Sequence, residues 1–475
     1  MTPPPDVLVI GGGPAGVGAA LAAAGHGLAV TLVDEAPQAG GQVYRATPRT
    51  FRNTPTTSDH RIGETLRYRL AESVVETIFD HAVWSVSPGF RVDALGPRGL
   101  HCWHSRAVIV ATGAQERVVP FPGWTLPGVI GLAGATILLK SQHMLPGRRT
   151  LVAGCGPLLL AVAAGILKAG GEVAGVIDLA SRREWLSTLS HAISRPDLLA
   201  RGTAWAGRLK AAGVPILSRH SILRVEPGSK GLHAVVGPLD PHGRPVCEGK
   251  QRLFDVDAVA VGNGLTPSTD ITRLLQADHV FNAARGGWHA RIDSDFRTSV
   301  AGLYAVGDAT GISGAAAAEL DGQLAGLAAA HDLGALPTPA YESQVPPLRS
   351  RAARARRFGG AMARLMALKP GQVAAVPAGT ILCRCEDVTR AEIDAAIGEG
   401  AVTVNQLKAW TRAGMGPCQG RICGDIIGTL LAGSTEGCET DQQFTGRSPL
   451  RPLPLDQIVG DYDYADIALP PPAPL

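Results

Sequence analysis

The chain has 475 residues, of which 45% are hydrophobic and 18% charged, with a formal net charge of +3. That length supports two or three cores, and the composition excludes a disordered or fibrous chain. A charge so near zero gives no electrostatic reason to bind nucleic acid or an anionic membrane, and the longest apolar run, near Leu158 to Leu167, falls far short of a bilayer span. The first apolar run, Val7 to Ile10, leads straight into glycines, so no secretory leader is expected and the expected location is the cytoplasm.

In chain order, Asp6 to Ile10 reads as a strand, Ala15 to Ala24 as an alanine-rich helix and Ala29 to Val33 as a second strand. Gly11, Gly13 and Gly16 form G-x-G-x-x-G between the first strand and the helix. The first glycine allows a tight turn, the second lets backbone approach a pyrophosphate, and the third lets helix and strand pack closely. The helix N-terminus adds free N–H groups and partial positive charge, and Asp34 ends the second strand where a carboxylate can accept from a ribose diol. These features predict a dinucleotide site.

The same unit recurs from Arg149: strand Thr150 to Ala153, a Gly154-x-Gly156 turn, an apolar helix to Lys168, then strand Val173 to Ile177 ending at Asp178. Here Leu159 stands where the third glycine would be. Phosphate approach survives while helix–strand packing is altered. Asp178 disfavours a 2′-phosphate, although Arg182 and Arg183 lie close behind. The residues leave open an adenine nucleotide, NAD or ATP, or a purely structural fold; a hydride-donating NADH site is the weaker reading. Ala107 to Gly113 and Ala258 to Gly264 each read as a further strand and turn, and Gly302 to Asp308 as a strand returning to the first sheet. The first domain is therefore expected to be discontinuous, with parallel, doubly wound sheets in both.

Pro337 to Pro347 predicts a linker, and Arg349 to Leu368 a helix carrying a basic run (Arg349, Arg351, Arg354, Arg356, Arg357). That run reads first as a solvated face or domain clamp, since no aromatics interleave it. Thr380 to Ala432 is a small cysteine-bearing module. Cys383-x-Cys385 is followed after 32 residues by Cys418, with Cys423 beyond. Capping boxes at Thr389/Glu392 and Thr403/Gln406 predict two short helices, and Ile426, Ile427, Leu430 and Leu431 a third. Paired thiolates suit an iron–sulfur cluster or zinc. Gly416 and Gly420 are expected to keep side chains away from a bulky ligand. Cys102, Cys155, Cys247 and Cys438 are scattered singly, and the tail from Ser434 reads as an extended arm.

GGGPAG, the Ala-Thr-Gly of 111–113 and Gly307-Asp308 together resemble the two-dinucleotide-binding-domain flavoproteins over about residues 5–335. The resemblance implies FAD in the first site, on Gly11, Gly13, Pro14, Ala15, Gly16, Asp34, Glu35, Gly41, Gln42, Val83, Thr112, Gly113, Gly307 and Asp308. Gly40 to Gln42 matches the family's Gly-Gly-Gln segment beside the flavin, and Asp308 its ribitol-binding aspartate. The disulfide reductases of that superfamily need two neighbouring sulfurs beside the flavin. Residues 1–335 contain no such pair, so that chemistry is excluded. CRCE and GMGPCQGRIC resemble the bacterioferritin-associated-ferredoxin-like [2Fe-2S] domain, in particular the version fused to the flavoprotein subunits of opine oxidase, hydrogen cyanide synthase and hydroxyproline dehydrogenase complexes. Cys383, Cys385, Cys418 and Cys423 carry over as cluster ligands.

The resulting expectation is an α/β chain with two Rossmann-like domains, the second inserted into the first, and a small helical [2Fe-2S] domain. Its predicted divisions are 1–118 with 287–336 for FAD, 119–286 for the second fold, 337–378 for linker and basic helix, 379–433 for the cluster and 434–475 for the arm. The resemblance implies an electron-transfer subunit that works with an amino-acid-oxidase-like FAD subunit; a further candidate partner is a small ferredoxin-like subunit. No residue is assigned as catalytic. The rivals are a self-contained NADH-dependent reductase and a non-catalytic iron–sulfur carrier.

Overall fold

The structure is a computed structural model that describes residues 4–48, 57–192, 195–246, 249–434 and 443–457. Apolar runs form its strands because parallel sheets are covered on both faces. Strand β1 (Val7–Ile10) and β2 (Val30–Val33) are buried throughout and joined by helix α1 (Pro14–Ala24). β3 (Ala107–Val110) pairs in parallel on the other side of β1. A strand at Glu76–Ile78 extends the β2 edge, and the three-stranded antiparallel sheet of 82–104 precedes β3.

The chain then leaves through β4 (Ala114–Glu116) into a second sheet of five parallel strands. Its centre is β5 (Arg149–Gly154), helix α2 (Leu158–Lys168), β6 (Glu172–Asp178) and β7 (Ala258–Gly262). Another antiparallel three-stranded sheet, within 220–256, lies between β6 and β7. The return crossing, β8 (Leu265–Pro267), pairs antiparallel with β4, so exit and re-entry lie side by side. Helix α3 (Asp270–Leu274) follows, and β9 (Leu303–Ala305) joins the first sheet in parallel beside β3.

Glu116 ends β4 and is half-buried at this crossing, where its carboxylate accepts the backbone N–H of Ala133 at 2.9 Å. Burial pushes its carboxyl up from 4.5 to about 7. A raised pKa means that the folded state holds its proton more tightly than the unfolded chain. The stabilisation is therefore complete below about pH 4.5 and is lost as pH climbs to about 7, by up to about 3 kcal/mol. Glu116→Gln should flatten this dependence, gaining on the parent in urea melts between about pH 5 and about pH 8. Parallel stability curves for the two proteins would refute the assignment.

Helix α4 (Ala315–Asp332) lies on α1 with almost no space between them: a Cβ on Gly322 would fall 1.9 Å from the Ala15 carbonyl oxygen. The predicted linker at 337–347 is instead the start of a 28-residue helix, α5 (Thr338–Leu365), with Pro346 and Pro347 inside it. Pro339 is at home in the first turn, where its missing N–H would be unpaired anyway. The inner prolines cost on the order of 3 kcal/mol each. Packing offsets that cost, since Val345, Leu348 and Ala352 are buried in the first domain's core. The basic run divides. Arg349 pairs with Asp295 at 2.6 Å and Arg356 with the buried Asp321, whereas Arg351, Arg354 and Arg357 face solvent.

Helix α6 (Pro370–Ala374) leads to the cysteine module, whose helices α7 (Arg390–Gly398), α8 (Val404–Thr411) and α9 (Gly424–Ser434) enclose Leu382, Ile393, Leu407, Ile426 and Leu431. Both expected capping boxes are formed at Thr389 and Thr403. The described part of the tail, 443–457, lies on the chain's own domains: Leu450 is buried in the first domain's core and Phe444 in the cysteine module. The rest of the predicted arm, with Cys438, and also Cys247, lies outside the described residues. Among the described residues no helix is long and apolar enough to cross a membrane.

Candidate cofactor sites

The first glycine turn sits at the carboxyl edge of β1, where ligands bind in open parallel sheets. Gly11 has φ +110°, and a Cβ there would come within 2.4 Å of the Ala111 carbonyl oxygen. A Cβ on Gly16 would lie 1.8 Å from the Gly11 carbonyl oxygen, so the third glycine is a steric requirement of helix on strand. Gly40 donates its N–H to the Gly12 carbonyl at 2.8 Å, which draws the Gly40–Gln42 loop over Gly13 and places Gly41 opposite it. Gln42 turns outward and accepts from Arg45 at 2.9 Å.

Around this turn stand the other residues singled out from the sequence. Pro14 and Ala15 open α1, and Val83 lies on the strand Ala82–Ser87 beside the first sheet. Thr112 and Gly113 follow β3, and Gly307 and Asp308 follow β9. The Asp308 carboxylate accepts from the N–H groups of Ser313 (2.8 Å) and Gly314 (3.0 Å), just before α4; burial raises its pKa. A Cβ on Gly113 or on Gly314 would meet nothing within 4 Å, so both face open space. Asp34 is engaged by backbone: it accepts from Gly12 and, at 2.6 Å, from Ala36, and burial again raises its carboxyl. Glu35 is exposed and pairs with Arg451 of the tail at 3.0 Å. Glycine edges that leave room, carboxylates at two ends and a helix N-terminus between them fit a dinucleotide cofactor such as FAD, which these residues could hold.

At the second turn a Cβ on Gly154 would lie 1.8 Å from the Gly262 carbonyl oxygen, the same close crossing that Gly11 makes. Leu159, in place of the third glycine, is buried in the second core. The Asp178 carboxylate accepts from Trp185 Nε1 at 2.6 Å and from the Ala180 N–H at 2.9 Å; burial pushes it up to about 6. Cys155 is buried in the turn, which pushes its thiol up to about 12, as suits an inert apolar residue.

All four thiols of the predicted cluster site gather at one end of the cysteine module. Cys383 and Cys423 are buried and in side-chain contact; Cys385 and Cys418 are half-buried and in contact with each other. The Cys423 thiol donates to Cys383, holding the Cys383 thiol down at about 6 while its own rises, and the Gly414 N–H points at Cys383 Sγ at 3.5 Å. A Cβ on Gly416 would sit 2.2 Å from that of Cys385. Four sulfurs with a backbone donor aimed at one of them fit the ligand set of an iron–sulfur cluster. Gly420 differs from expectation. Its missing Cβ admits the Phe444 ring (2.3 Å from the ideal position), so this glycine makes room for the tail and not for the ligand.

Sequence reasoning missed the residues that dock the module. Arg117 is almost wholly buried; its Nε donates to Asp425 at the start of α9 (2.7 Å) and its Nη2 to the Gly286 carbonyl (2.7 Å). Asp270 at the start of α3 accepts from Arg273 (2.7 Å) and from Arg421 (2.8 Å), while Arg421 also reaches the Cys418 and Leu450 carbonyls. Two residues before Asp270, Ser268 exchanges hydrogen bonds with Thr112 and Gly113. Arginines that bridge elements so far apart in the chain leave no local pattern to read.

The family model for the pyridine nucleotide-disulphide oxidoreductases matches residues 5–332, and that for the BFD-like [2Fe-2S] binding domain residues 381–432. The chain is 36% identical to an opine oxidase subunit of Rhizobium meliloti (strain 1021), over 95% of this chain and 98% of that protein. It is 32% identical to hydrogen cyanide synthase subunit HcnB of Pseudomonas aeruginosa, over 94% of this chain and 97% of that one. Among solved structures, L-proline dehydrogenase from P. horikoshii shares the fold, with a TM-score of 0.66 at 20% identity over 96% of this chain and 79% of that one. The chain therefore belongs to the pyridine nucleotide-disulphide oxidoreductase family, among the oxidoreductase subunits that include those of opine oxidase and hydrogen cyanide synthase, with FAD and a [2Fe-2S] cluster as its cofactors.

Proposed function

We propose that this chain is the electron-transfer subunit of a heteromeric dehydrogenase acting on the C–N bond of an amino acid or opine, with substrate oxidation on a partner flavoprotein of the amino-acid-oxidase type. The observation that carries the reading is the docking of the four-cysteine loop onto the first nucleotide fold: Arg421 joins the Cys418 carbonyl to Asp270, two residues from the Ser268 that holds Thr112 and Gly113. Relatives of matching length are named as subunits, which supports a partner. Bound FAD accepts an electron pair and releases it singly, while a [2Fe-2S] centre carries one electron at a time.

In this reading Gly11, Gly13 and Gly16 seat the pyrophosphate, Asp308 the ribitol chain, and Cys383, Cys385, Cys418 and Cys423 the irons. The chain supplies orientation and exclusion of water, and no general base is assigned to it. Co-expression with an amino-acid-oxidase-like partner, then screening of opines and proline derivatives with an artificial acceptor, tests it. Substrate-dependent acceptor reduction should need both chains. Cys383→Ser should abolish the paramagnetic signal seen after dithionite and cut acceptor reduction by more than about tenfold, with bound flavin retained. A Cys383→Ser complex that reduces the acceptor at the parent rate would sink the proposal.

A further inference from the structure

The geometry points to a second nucleotide fold that is closed by the chain itself: Met366 to Lys369, the connection between α5 and α6, occupies the place where a dinucleotide would lie on the Gly154–Gly156 turn. In a parallel sheet of this kind the ligand crosses outside the carboxyl ends of the central strands, here β5 and β7, with its pyrophosphate on the glycine turn. Gly156, with φ +86°, is the glycine that would let backbone meet the phosphates. An ideal Cβ on it would instead lie 2.5 Å from Met366 Sδ and 2.8 Å from Met366 Cγ. Beyond β7, a Cβ on Gly264 would lie 2.9 Å from the Met366 carbonyl oxygen, so main chain as well as side chain covers this edge.

The covering segment is held at both ends. Met366 caps α5 by donating its N–H to the Met362 carbonyl at 3.0 Å. Lys369 Nζ pairs with Glu184 at 2.7 Å, and its N–H is taken by Gln372 at 3.0 Å to start α6. α6 then lies against the 240–244 turn, where a Cβ on Gly371 would meet the His242 carbonyl oxygen at 2.3 Å. Asp178, the carboxylate placed to take an adenosine ribose, differs from Asp34 in its donors: Asp34 accepts from two backbone N–H groups, whereas Asp178 accepts from one and from the Trp185 side chain. Beside the segment lies a cavity of about 240 Å³ that Gly154 itself lines together with Phe121, Leu179 and Val376; its polar side chains are Ser221, Asn263 and Gln372, and none is charged. That volume is less than the roughly 300–1,000 Å³ usual for a drug-sized ligand, and no cationic side chain lines it to neutralise a phosphate.

The fold that supplies nicotinamide-binding in reductases of this architecture thus serves here as a scaffold, and electrons do not enter from NADH. This holds whichever substrate a partner oxidises. The test uses the full-length protein with both cofactors loaded, and NADH and ADP as probes. The parent should show no saturable binding of either up to about 1 mM, and its flavin should stay oxidised under anaerobic NADH. Met366→Ala/Lys369→Ala should bind ADP at least about tenfold more tightly than the parent. Saturable binding or flavin bleaching in the parent overturns the inference, as does a double variant with parental flavin and cluster spectra that gains no affinity. The contact can also be tested without ligand. Gly156→Ala should lower the melting temperature less in a Met366→Ala background than in the parent, and equal losses would count against it. None of these readouts depends on a partner, so failure of the proposed electron-transfer role would leave them unchanged.

Discussion

Replacing Asp425 with leucine is expected to cost about 3–5 kcal/mol, because it strands the guanidinium of Arg117 without a counter-charge in the seam between the cysteine module and the rest of the chain. The Arg117 side chain is 2% exposed, and its other short contact is a carbonyl, that of Gly286. A carbonyl satisfies a donor but does not neutralise a buried cation. Thermal melting should show the loss, and the paramagnetic signal should weaken as α9, which follows directly on Cys423, shifts. The companion variant Arg117→Leu/Asp425→Leu removes both charges together and should recover a large part of the stability, because desolvation then no longer opposes folding. An Asp425→Leu protein within about 1 kcal/mol of the parent would show that the pair is not what holds the module down.

Gly16→Ala should be still less tolerated. The added Cβ would fall 1.8 Å from the Gly11 carbonyl oxygen, a backbone atom of the very turn that receives the pyrophosphate. Relief requires moving α1 off β1, and α1 is pinned from behind by α4, where Gly322 leaves no slack against Ala15. The expected penalty exceeds about 3 kcal/mol, with bound flavin lost from the purified protein. Gly202→Ala is the control. Gly202 lies in the helix Pro196–Ala211 with nothing within 4 Å of an ideal Cβ, so alanine there should stabilise by about 0.5–1 kcal/mol and leave flavin content unchanged. Equal flavin content in both variants would refute the steric account.

The parts that sequence could show are those whose causes are local. Gly11, Gly13 and Gly16 do their work within six residues, and Thr389/Glu392 and Thr403/Gln406 within one turn of helix each, so their spacing alone reveals the geometry. Cys383, Cys385, Cys418 and Cys423 could be grouped because thiolates that fall in close couples are soft ligands of the kind that hold iron–sulfur clusters or zinc. The proline-rich stretch misled for the opposite reason. Pro346 and Pro347 break helices in isolation, and only burial of Val345, Leu348 and Ala352 against distant residues outweighs that tendency. The local sequence points Gly420 at the ligand because Phe444 arrives from the distant tail, and the closing of Gly156 by Met366 cannot be read without knowing where α5 ends.

The way the first sheet is completed also sets an order on biosynthesis. Val108 in β3 waits for Leu303 in β9, on the far side of the whole second domain, before it has its second neighbour. Asp308 and α4 emerge from the ribosome later still. A growing chain can therefore finish its second domain as a self-contained unit while the earlier strands stay unpaired along one edge, exposed to wrong pairing. The cofactor cleft comes into being only after that unit has folded and brought its two ends together at β4 and β8. Defects that slow the inserted domain should accordingly show first as flavin-free, aggregating chains rather than as a failure of the inserted domain itself.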